Sequence, residues 1–404
     1  MNILKKIYCR LFQKALFIAY PLLPYREPKL IDDKTEGIPE VLKTENASHP
    51  LIITDKGIAG AGLLEPLKKI LDEKAIPYSL YKDVIANPTT DSIEEAVALY
   101  RNECCDSIIA IGGGSSIDTA KAAGARISQS WMSLKRMKGI LKVWKKLPLL
   151  ITIPTTAGTG SEATLASVVV DSETRHKYAI NSFPLIPHYA VLDPEYTYTL
   201  PPHLTASTGM DALTHAIEAY IGRSSYKLTR MEAKVAVRLI FQNIEKSYIN
   251  GRDEKARSSM LRASYLAGCA FTRSYVGYVH AIAHSLGGRY NTPHGLANAV
   301  ILPYVLDEYG SSVYKKLRKL AIAAGLADEL TDEKMAAERF ISGIRELNRR
   351  LNIPSHLAEI KEDDIENLSR TAEKEANPLY PVPEIWDRRR IAAIYREVME
   401  NEES

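Results

Sequence analysis

Short apolar runs alternate with segments of helical periodicity between about residues 50 and 193. Each apolar run has the length of a buried strand, and the segments between them repeat their apolar residues every three or four positions. Strands separated by helices in this way predict a parallel sheet covered by helices. Two of the segments, 63–74 and 92–103, are predicted to be helices. The predicted strands are 51–54, 107–111, 149–153, 168–170 (part of a hairpin) and 190–192.

The pattern of the chain changes near Pro201. Long helical patterns with few β-branched runs continue from there to the end of the chain, which predicts an all-α C-terminal domain. The sequence therefore predicts an α/β domain over residues 29–200 and a helical domain over residues 201–404.

The first 28 residues form a predicted amphipathic extension. Apolar residues such as Leu4, Ile7 and Leu11 recur at helical spacing, and basic residues interrupt them as they would not in a signal peptide. We expect this helix to pack its apolar stripe on the body of the protein or on a second subunit. Attachment to a membrane surface is the alternative, and no segment is long enough to span a bilayer.

The composition is that of a globular protein and does not indicate a particular activity. The 404 residues carry a net charge of +3, with 46% hydrophobic and 25% charged residues, as in ordinary globular proteins. So small a net charge gives no argument for nucleic-acid binding. The cysteines form no C-x-x-C pair, and Cys104 and Cys105 are adjacent, so a reduced, cytoplasmic setting is expected.

A glycine-rich turn, GGGSSID (residues 112–118), follows the predicted strand 107–111. Its three glycines would let the backbone turn tightly, and the helix after them would present unpaired N–H groups to an anion such as a phosphate. Ser115 is the expected N-cap of that helix, and Asp118 would complete a capping-box-like arrangement. Because the pattern G-x-G-x-x-G is absent, a strand-to-helix turn that binds nothing is an equal alternative on these residues alone.

A second polar loop, PTTAGTGSE (residues 154–162), follows the predicted strand 149–153. Its hydroxyl groups alternate with small residues, so that it could surround a ribose or a pyrophosphate. Both loops lie at the carboxyl ends of predicted parallel strands, where open α/β sheets bind ligands. Asp55 has the same position after strand 51–54, and its carboxylate would accept hydrogen bonds from a ribose and repel a 2′-phosphate, which favours NAD over NADP. The alternative role for Asp55 is to cap the following helix.

Four of the nine histidines fall in two segments of the helical half. GMDALTHAIEAY contains Asp211 and His215, four residues apart and therefore on one helix face. HAIAHSLGGRYNTPH contains His280, His284 and His294. One carboxylate with several imidazoles suits Fe(II) or Zn(II), so this half is predicted to hold a metal ion. Helical spacing alone would select His280 and His284, one turn apart, as ligands.

Together, GGGSSID, PTTAGTGSE, GMDALTHAIEAY and HAIAHSLGGRYNTPHGLANAVILP resemble the motifs of the iron-containing (group III) alcohol dehydrogenases, in that family's order and spacing. The resemblance extends from about Lys29 to the end of the chain. It implies a dehydroquinate synthase-like fold, with an α/β dinucleotide-binding domain, an all-α metal domain and an active site in the cleft between them. The chain departs from the family at Ser285, where many members have proline, and in its longer N-terminal extension.

The resemblance also implies roles for individual residues. The metal ligands would be Asp211, His215, His280 and His294, with Fe(II) as the ion and Zn(II) as the alternative. The run GGRYNTP would be a loop that folds His294 back to the metal. His284 would lie near the nicotinamide without binding the metal, as a proton relay, and the alternative is a buried, hydrogen-bonded histidine without a chemical role. The residues that contact NAD would be Asp55, Asn87, Gly113, Gly114, Ser115, Asp118, Thr155, Thr156, Thr159, Val168, Lys177 and Leu200.

The implied activity is hydride transfer between NAD(H) and a small primary alcohol, diol or aldehyde, assisted by the metal. A homodimer without a nucleic-acid partner is expected. The alternatives are a lyase, or a glycerol- or maleylacetate-type reductase, on the same scaffold. A lyase acting on a phosphorylated or carboxylated substrate needs a basic pocket. Arg289 is the one Lys or Arg in the two histidine-bearing segments, which weighs against a lyase.

Overall fold

The computed structural model describes residues 3–19, 23–31 and 34–399. The chain forms two compact units, divided between Leu200 and Pro201. We call Pro24–Leu200 the α/β unit, and the residues up to Leu23 together with those from Pro201 onward the helical unit. Residues 1, 2 and 20–22 of the predicted extension lie outside the described part of the chain.

The helices and strands are numbered in chain order. The helices are α1 (Ile3–Ala19), α2 (Ile38–Thr44), α3 (Lys56–Gly60), α4 (Glu65–Glu73), α5 (Thr90–Asn102), α6 (Gly114–Ser128), α7 (Leu134–Met137), α8 (Pro202–Ile221), α9 (Lys227–Ile249), α10 (Glu254–Ser274), α11 (Tyr278–Tyr290), α12 (His294–Tyr309), α13 (Tyr314–Ala324), α14 (Glu333–Arg350), α15 (Glu362–Ala376) and α16 (Arg388–Val398). The strands are β1 (Lys29–Leu30), β2 (Pro50–Ile53), β3 (Ser79–Tyr81), β4 (Ser107–Gly112), β5 (Gly139–Ile140), β6 (Leu149–Pro154), β7 (Ala166–Val170), β8 (Lys177–Asn181) and β9 (Tyr189–Ala190).

Six parallel strands, in the order β1-β9-β6-β4-β2-β3, form the main sheet of the α/β unit. Alternate residues of its central strands belong to two different cores, because successive side chains of a strand point to opposite faces. Ile108 and Ala110 pack with residues of α5 and α6, and Ile109 and Ile111 pack with residues of α2 and α4. Burial on both faces explains why these strands are continuous apolar runs rather than alternating ones.

A smaller sheet, in the order β5-β8-β7, contains the antiparallel pair β7 and β8. The predicted strand 168–170 lies in this hairpin. The predicted helices 63–74 and 92–103 correspond to α4 and α5, and the other predicted strands correspond to β2, β4, β6 and β9. The parallel sheet followed by helices confirms the predicted fold class.

The N-terminal helix α1 packs on the helical unit through its polar face, contrary to our expectation that its apolar stripe would be buried. Arg10 donates to the carbonyl oxygens of Val382 (2.7 Å) and Pro383 (2.8 Å), and the buried Gln13 donates to that of Tyr380 (2.7 Å). Backbone carbonyls near residue 380 need donors, and the basic face of the helix supplies them. The apolar side chains on the other face are exposed, namely Ile3, Leu4, Ile7, Tyr8 and Leu11.

The predicted extension of 28 residues contains the helix Ile3–Ala19, and its last residues lie in the other unit. Residues from Pro24 onward belong to the α/β unit, where Arg26 donates to the carbonyl oxygens of Ile186 and Pro187. In the described part of the chain, no helix is both long enough and apolar enough to cross a bilayer.

Candidate metal and dinucleotide sites

Four side chains of the helical unit converge on one point. Asp211, His215, His280 and His294 each offer a ligand atom, and these atoms all lie within 4.8 Å of one another. Asp211 and His215 come from one face of α8, His280 comes from the first turn of α11, and His294 is the first residue of α12. Three of the four are buried, and His294 is partly exposed, so the group can be reached from solvent on one side.

The carboxylate of Glu218 orients the ring of His280 by contacting the nitrogen that faces away from the ligand group. Its Nδ1 lies 2.6 Å from Oε2 of Glu218, which also accepts the N–H of Gly277 (2.7 Å), while Oε1 accepts the N–H of Val279 (2.8 Å). Because the Glu218 carboxyl already accepts two backbone N–H groups, we assign the imidazole proton to Nδ1, which directs the lone pair of Nε2 toward the ligand group. That Nε2 atom is buried without a hydrogen-bond partner.

The charges of the group suit a divalent cation. Burial and the neighbouring histidines lower the pKa of His280 well below its usual value, so its ring is neutral near pH 7. Asp211 supplies one carboxylate, whose Oδ1 lies 3.4 Å from Nε2 of His294 and accepts the amide of Asn298 at 2.7 Å. Neutral imidazoles with one carboxylate fit Fe(II) or Zn(II), so this donor set could hold either ion.

A close approach of α12 to α8 brings His294 into the group. A β-carbon on Gly295 would lie 2.8 Å from the carbonyl carbon of Ser207, so only glycine allows this contact. The predicted loop GGRYNTP is wrong in its first four residues, because α11 continues to Tyr290 and the turn is limited to residues 291–293. Asp364 on α15 binds both Arg289 (2.9 Å) and Tyr290 (2.7 Å), which stabilises the last turn of α11 despite its glycines.

His284 lies one turn from His280 but outside the ligand group. Its Nδ1 lies 2.6 Å from Oε1 of Glu375, and the hydroxyl of Tyr380 donates to the same oxygen at 2.8 Å. The side chain of His284 is 42% exposed, so it is not the buried histidine of the alternative reading. Burial acts to raise the pKa of Glu375, but the charge and the hydrogen bond of His284 outweigh it and lower that pKa. An ionised Glu375 therefore orients the His284 ring.

In the α/β unit, the two polar loops lie against each other. The N–H of Thr155 donates to the carbonyl oxygen of Gly112 (3.1 Å), and a β-carbon on Gly114 would lie 3.0 Å from Cγ2 of Thr159. Gly112 has φ +148°, and a β-carbon there would lie 2.6 Å from Cβ of Ser116. The glycines thus leave room for the helix to begin directly beside the threonine loop. The result is a helix N-terminus lined by backbone N–H groups, as a phosphate requires.

The predicted cap of this helix is wrong. Gly113 is the N-cap of α6, not Ser115, because a residue without a side chain lets the chain enter the helix earlier. Asp118 does not form a capping box either. Its carboxylate accepts the hydroxyl of Ser161 (2.8 Å) and the N–H of Val168 (3.0 Å), so it joins α6 to the second loop and to β7.

Lys121, which we did not single out from the sequence, also joins α6 to the segment that follows the second loop. Its ammonium is fully buried and donates to Ser161 Oγ (3.1 Å), to the carbonyl and hydroxyl of Thr164 (both 2.9 Å) and to the carbonyl of Ala166 (2.9 Å). Burial lowers the pKa of Lys121 to about 8, against the opposing charges of Asp118 and Glu162. The sequence did contain a signal for this buried lysine, because Lys121 interrupts a run of small and apolar residues in α6.

The other predicted contacts of NAD are placed as follows. Asp55 caps α3 by accepting the N–H of Ile58 at 2.9 Å, and its second oxygen lies 3.5 Å from Oγ of Ser116 beside the glycine turn. Lys177 donates to the amide oxygen of Asn87 at 2.7 Å. Leu200 follows the short helix Pro194–Thr197, and its N–H donates to the carbonyl of Thr197 at 3.1 Å.

Sequence reasoning also missed the carboxylates behind the histidines. Glu218 was detectable, because it follows Asp211 by seven residues and His215 by three and so shares their helix face. Glu375 was not, because it reaches His284 from α15, 91 residues away in the chain. Contacts between distant elements leave no periodic signal in the sequence.

Comparison with known protein families gives two matches that together cover most of the chain. Residues 31–194 match the model of the iron-containing alcohol dehydrogenases, and residues 205–399 match the C-terminal model of the same family. The four motifs discussed above lie within these two ranges.

Individual relatives are similar over most of their length. Alcohol dehydrogenase 4 of Schizosaccharomyces pombe is 38% identical over 365 residues, 89% of this chain and 84% of that protein. An NAD-dependent methanol dehydrogenase of Bacillus methanolicus is 36% identical over 336 residues, 82% of this chain and 87% of that protein. The crystal structure of a 1,3-propanediol oxidoreductase superposes with a TM-score of 0.89 at 34% identity, covering 93% of this chain and 100% of that one.

Proposed function

The chain belongs to the iron-containing alcohol dehydrogenase family, and from this membership we propose that it interconverts a small primary alcohol or diol and its aldehyde, using NAD(H) and a divalent metal ion. The observation that carries the proposal is the convergence of Asp211, His215, His280 and His294. When bound, the ion supplies Lewis acidity toward the substrate oxygen and the nicotinamide exchanges hydride with the substrate carbon.

The residues around the metal group orient it and set its charge. Glu218 keeps His280 in the tautomer whose Nε2 can bind an ion, and burial keeps that ring neutral. With Asp211 as the only carboxylate among the four, a divalent ion would retain one net positive charge. That charge favours a substrate oxygen that becomes negative as its proton leaves.

The side chain of His284 is placed to exchange a proton. Glu375 accepts from its Nδ1, so proton exchange would occur at Nε2, and the partial exposure of the ring lets solvent reach it. We therefore assign proton transfer to His284, and orientation of its ring to Glu375 and Tyr380.

The α/β unit would bind the dinucleotide at the glycine turn and the threonine loop. Support for this assignment comes from the N-terminus of α6, which offers backbone N–H groups to a pyrophosphate, and from the short side chains that line it. Support for NAD over NADP comes from Asp55, whose carboxylate would accept ribose hydroxyls and repel a 2′-phosphate.

Replacing Asp55 with glycine should raise kcat/KM for NADPH relative to NADH about tenfold or more, because the carboxylate that would repel the 2′-phosphate is removed.

Oxidation of NADH by short aldehydes tests the proposal directly. Protein loaded anaerobically with Fe(II) or with Zn(II) would be compared with chelator-stripped protein, and NADPH would be tested beside NADH. We expect turnover only with metal, and faster turnover with NADH. Bound metal and nucleotide without turnover of any aldehyde would contradict the proposal and favour a lyase.

Two histidine variants separate metal binding from proton transfer. His280→Ala should lose both the metal and turnover, because one of four ligands is gone. His284→Ala should keep the metal and turn over roughly 10²- to 10⁴-fold more slowly, the usual cost of losing a general acid–base group. Loss of metal from the His284 variant would contradict its assignment as a proton-transfer residue.

A further inference from the structure

One surface of the α/β unit, formed by residues 131–146, exposes aromatic, aliphatic and cationic side chains together. Trp131 and Trp144 are 57% and 59% exposed, and Ile140 and Leu141 are 47% and 48% exposed. We call this surface the basic–tryptophan face. Its exposed aromatic, aliphatic and cationic residues are Trp131, Lys135, Arg136, Lys138, Ile140, Leu141, Lys142, Trp144, Lys145 and Lys146.

The face has a strong positive charge despite the small net charge of the chain. Residues 131–146 include six Lys or Arg residues and no Asp or Glu. Asp171 and Glu173 balance only Lys135, whose Nζ lies 3.4 Å from a carboxylate oxygen of each. Glu45 and Asp106 line one groove with Lys146, so the positive charge of the face rests mainly on Arg136, Lys138, Lys142 and Lys145.

These side chains are held on a fixed turn. The fully buried Gln129 accepts the N–H groups of Trp144 (2.6 Å) and Lys145 (3.2 Å), and its amide donates to the carbonyl of Lys142 (3.1 Å). The rings of Trp131 and Trp144 lie side by side, with centroids 6.2 Å apart. Gln129 thus fixes the backbone of residues 142–145, and with it the positions from which Trp144 and the neighbouring lysines project.

We propose that the basic–tryptophan face docks on an anionic lipid membrane. Indole rings favour the boundary between headgroups and acyl chains, and lysines beside them are attracted to anionic headgroups. The acyl-chain region of a membrane would remove Ile140 and Leu141 from water, whereas a nucleic acid would offer stacking to the indoles alone. A symmetric contact with a second copy would bring the cations of both faces together and is disfavoured.

Helix α1 shows the same combination independently. Its outward side chains Ile3, Leu4 and Leu11 are 62–70% exposed, and Lys6 and Lys14 are exposed on the same helix. A basic helix with one apolar face lies in the plane of a membrane rather than across it. Attachment through α1 would therefore be peripheral.

Binding to vesicles tests the proposal with the full chain. Vesicles of phosphatidylcholine alone would be compared with vesicles that also contain phosphatidylglycerol, by cosedimentation and by tryptophan fluorescence. Of the three tryptophans, Trp386 is buried and stacked on Tyr278, so a change in emission reports on the face. We expect a blue shift and cosedimentation with the anionic vesicles only, both reversed by salt.

Two double variants separate the contribution of the lysine charges to membrane binding from that of the tryptophan rings. Lys142→Glu with Lys145→Glu should weaken binding at least about 25-fold, since each lysine near an anionic surface contributes about fivefold. Trp131→Ser with Trp144→Ser should weaken it about tenfold or more. The matched controls are exposed residues of the helical unit, Lys234→Glu with Lys255→Glu and Ile249→Ser with Leu330→Ser, which should bind as the unaltered chain does.

Three results would overturn the proposal. The first is equal binding to neutral and anionic vesicles, or no binding to either. The second is a preference for single-stranded RNA that the tryptophan variant abolishes, which would assign the face to nucleic acid. The third is a change of oligomeric state in that variant, measured by light scattering, which would assign the face to contacts between copies. Activity toward aldehydes should be unchanged in all variants, so failure here is distinct from failure of the proposed activity.

Discussion

At the scale of single residues, the orientation of the His280 ring depends on the neighbours of its two nitrogens. Glu218 fixes Nδ1, and the buried Nε2 faces Asp211, 4.0 Å from its Oδ1. Burial raises the pKa of Glu218 to about 7, while the N–H groups of Gly277 and Val279 act in the opposite direction. The tautomer of one imidazole therefore depends on a residue that would never touch the metal.

Replacing Glu218 with glutamine should weaken metal binding roughly 10- to 100-fold, the usual effect of losing a carboxylate behind a ligating histidine. The amide has one acceptor oxygen where the carboxylate has two, so it cannot satisfy the same three donors. The affinity for Co(II) or Zn(II) can be measured by competition with a chromogenic chelator. Glu338→Gln, exposed on α14, is the control and should bind metal normally. An unchanged affinity in the Glu218 variant would show that the tautomer is fixed by other contacts.

Residue-scale prediction from the sequence was possible where function forces an unusual residue into a short motif. Asp211 and His215 are four apart in an otherwise apolar segment, and His280 lies in a cluster of histidines, so their chemistry was visible. The choice between His284 and His294 was not decidable from spacing, because it depends on where the turn 291–293 directs α12. Lys121 was missed, because its partners become adjacent only when the second loop folds over α6.

At the scale of helices and strands, Gly295 determines how closely α12 approaches α8. Gly295→Ala should separate the two helices, weaken metal binding more than tenfold and lower the free energy of unfolding by about 2 kcal/mol, as overpacking against backbone does. Gly288→Ala is the matched control, since no heavy atom lies within 4 Å of a β-carbon there and alanine favours the helix. Denaturant unfolding and metal titration of the two variants should therefore diverge. Equal behaviour would mean that the helices can shift at little cost.

A second prediction at this scale concerns the pairing of β6 with the segment before β9. Nδ1 of His188 accepts the N–H of Leu150 at 3.0 Å, which requires an unprotonated nitrogen. Burial, with the positive charges of Arg26 and Lys146, lowers the pKa of His188 to about 4. Between pH 6.5 and pH 4 the unfolded chain therefore binds more protons than the folded chain, and stability is lost as the pH falls through this window.

The contribution of His188 can be isolated with asparagine, whose side-chain oxygen can accept the same N–H but does not titrate. Over the window from pH 7 to pH 4, the unaltered chain should lose about 2 kcal/mol more stability than His188→Asn, measured by urea unfolding. His356→Gln, at an exposed position, should follow the unaltered chain. Parallel pH profiles for the unaltered chain and His188→Asn would contradict the prediction.

The longer elements were predictable because burial on two faces requires continuous apolar runs, as in β4 and β6. Short strands such as β3 and β5 were missed, since two or three residues make no pattern. The glycines at 287 and 288 indicated a loop, but Asp364 holds the end of α11 through Arg289 and Tyr290. Tertiary contacts overrode a local preference at this point.

At the scale of the whole molecule, the two candidate sites are carried by different units. The metal group lies in the helical unit, and the glycine turn and threonine loop lie in the α/β unit. Hydrogen exchange should therefore separate them. Zn(II) should protect peptides of α8, α11 and α12, and NADH should protect peptides spanning residues 112–118 and 154–161, because a ligand stabilises the segments it binds. Protection by NADH confined to the helical unit would contradict the assignment of the loops.

The division of the chain also bears on how it is made. Helix α1 is synthesised before its partners Glu373, Val382 and Pro383, which follow the residues they contact by 368, 372 and 373 positions. At 5–20 residues per second, the helix waits roughly 20 to 70 s for them. The α/β unit, continuous from Pro24 to Leu200, can close in the meantime. Throughout that delay the nascent chain exposes a basic, amphipathic helix, whose Arg10 and Gln13 cannot yet reach the carbonyl groups of Val382 and Tyr380.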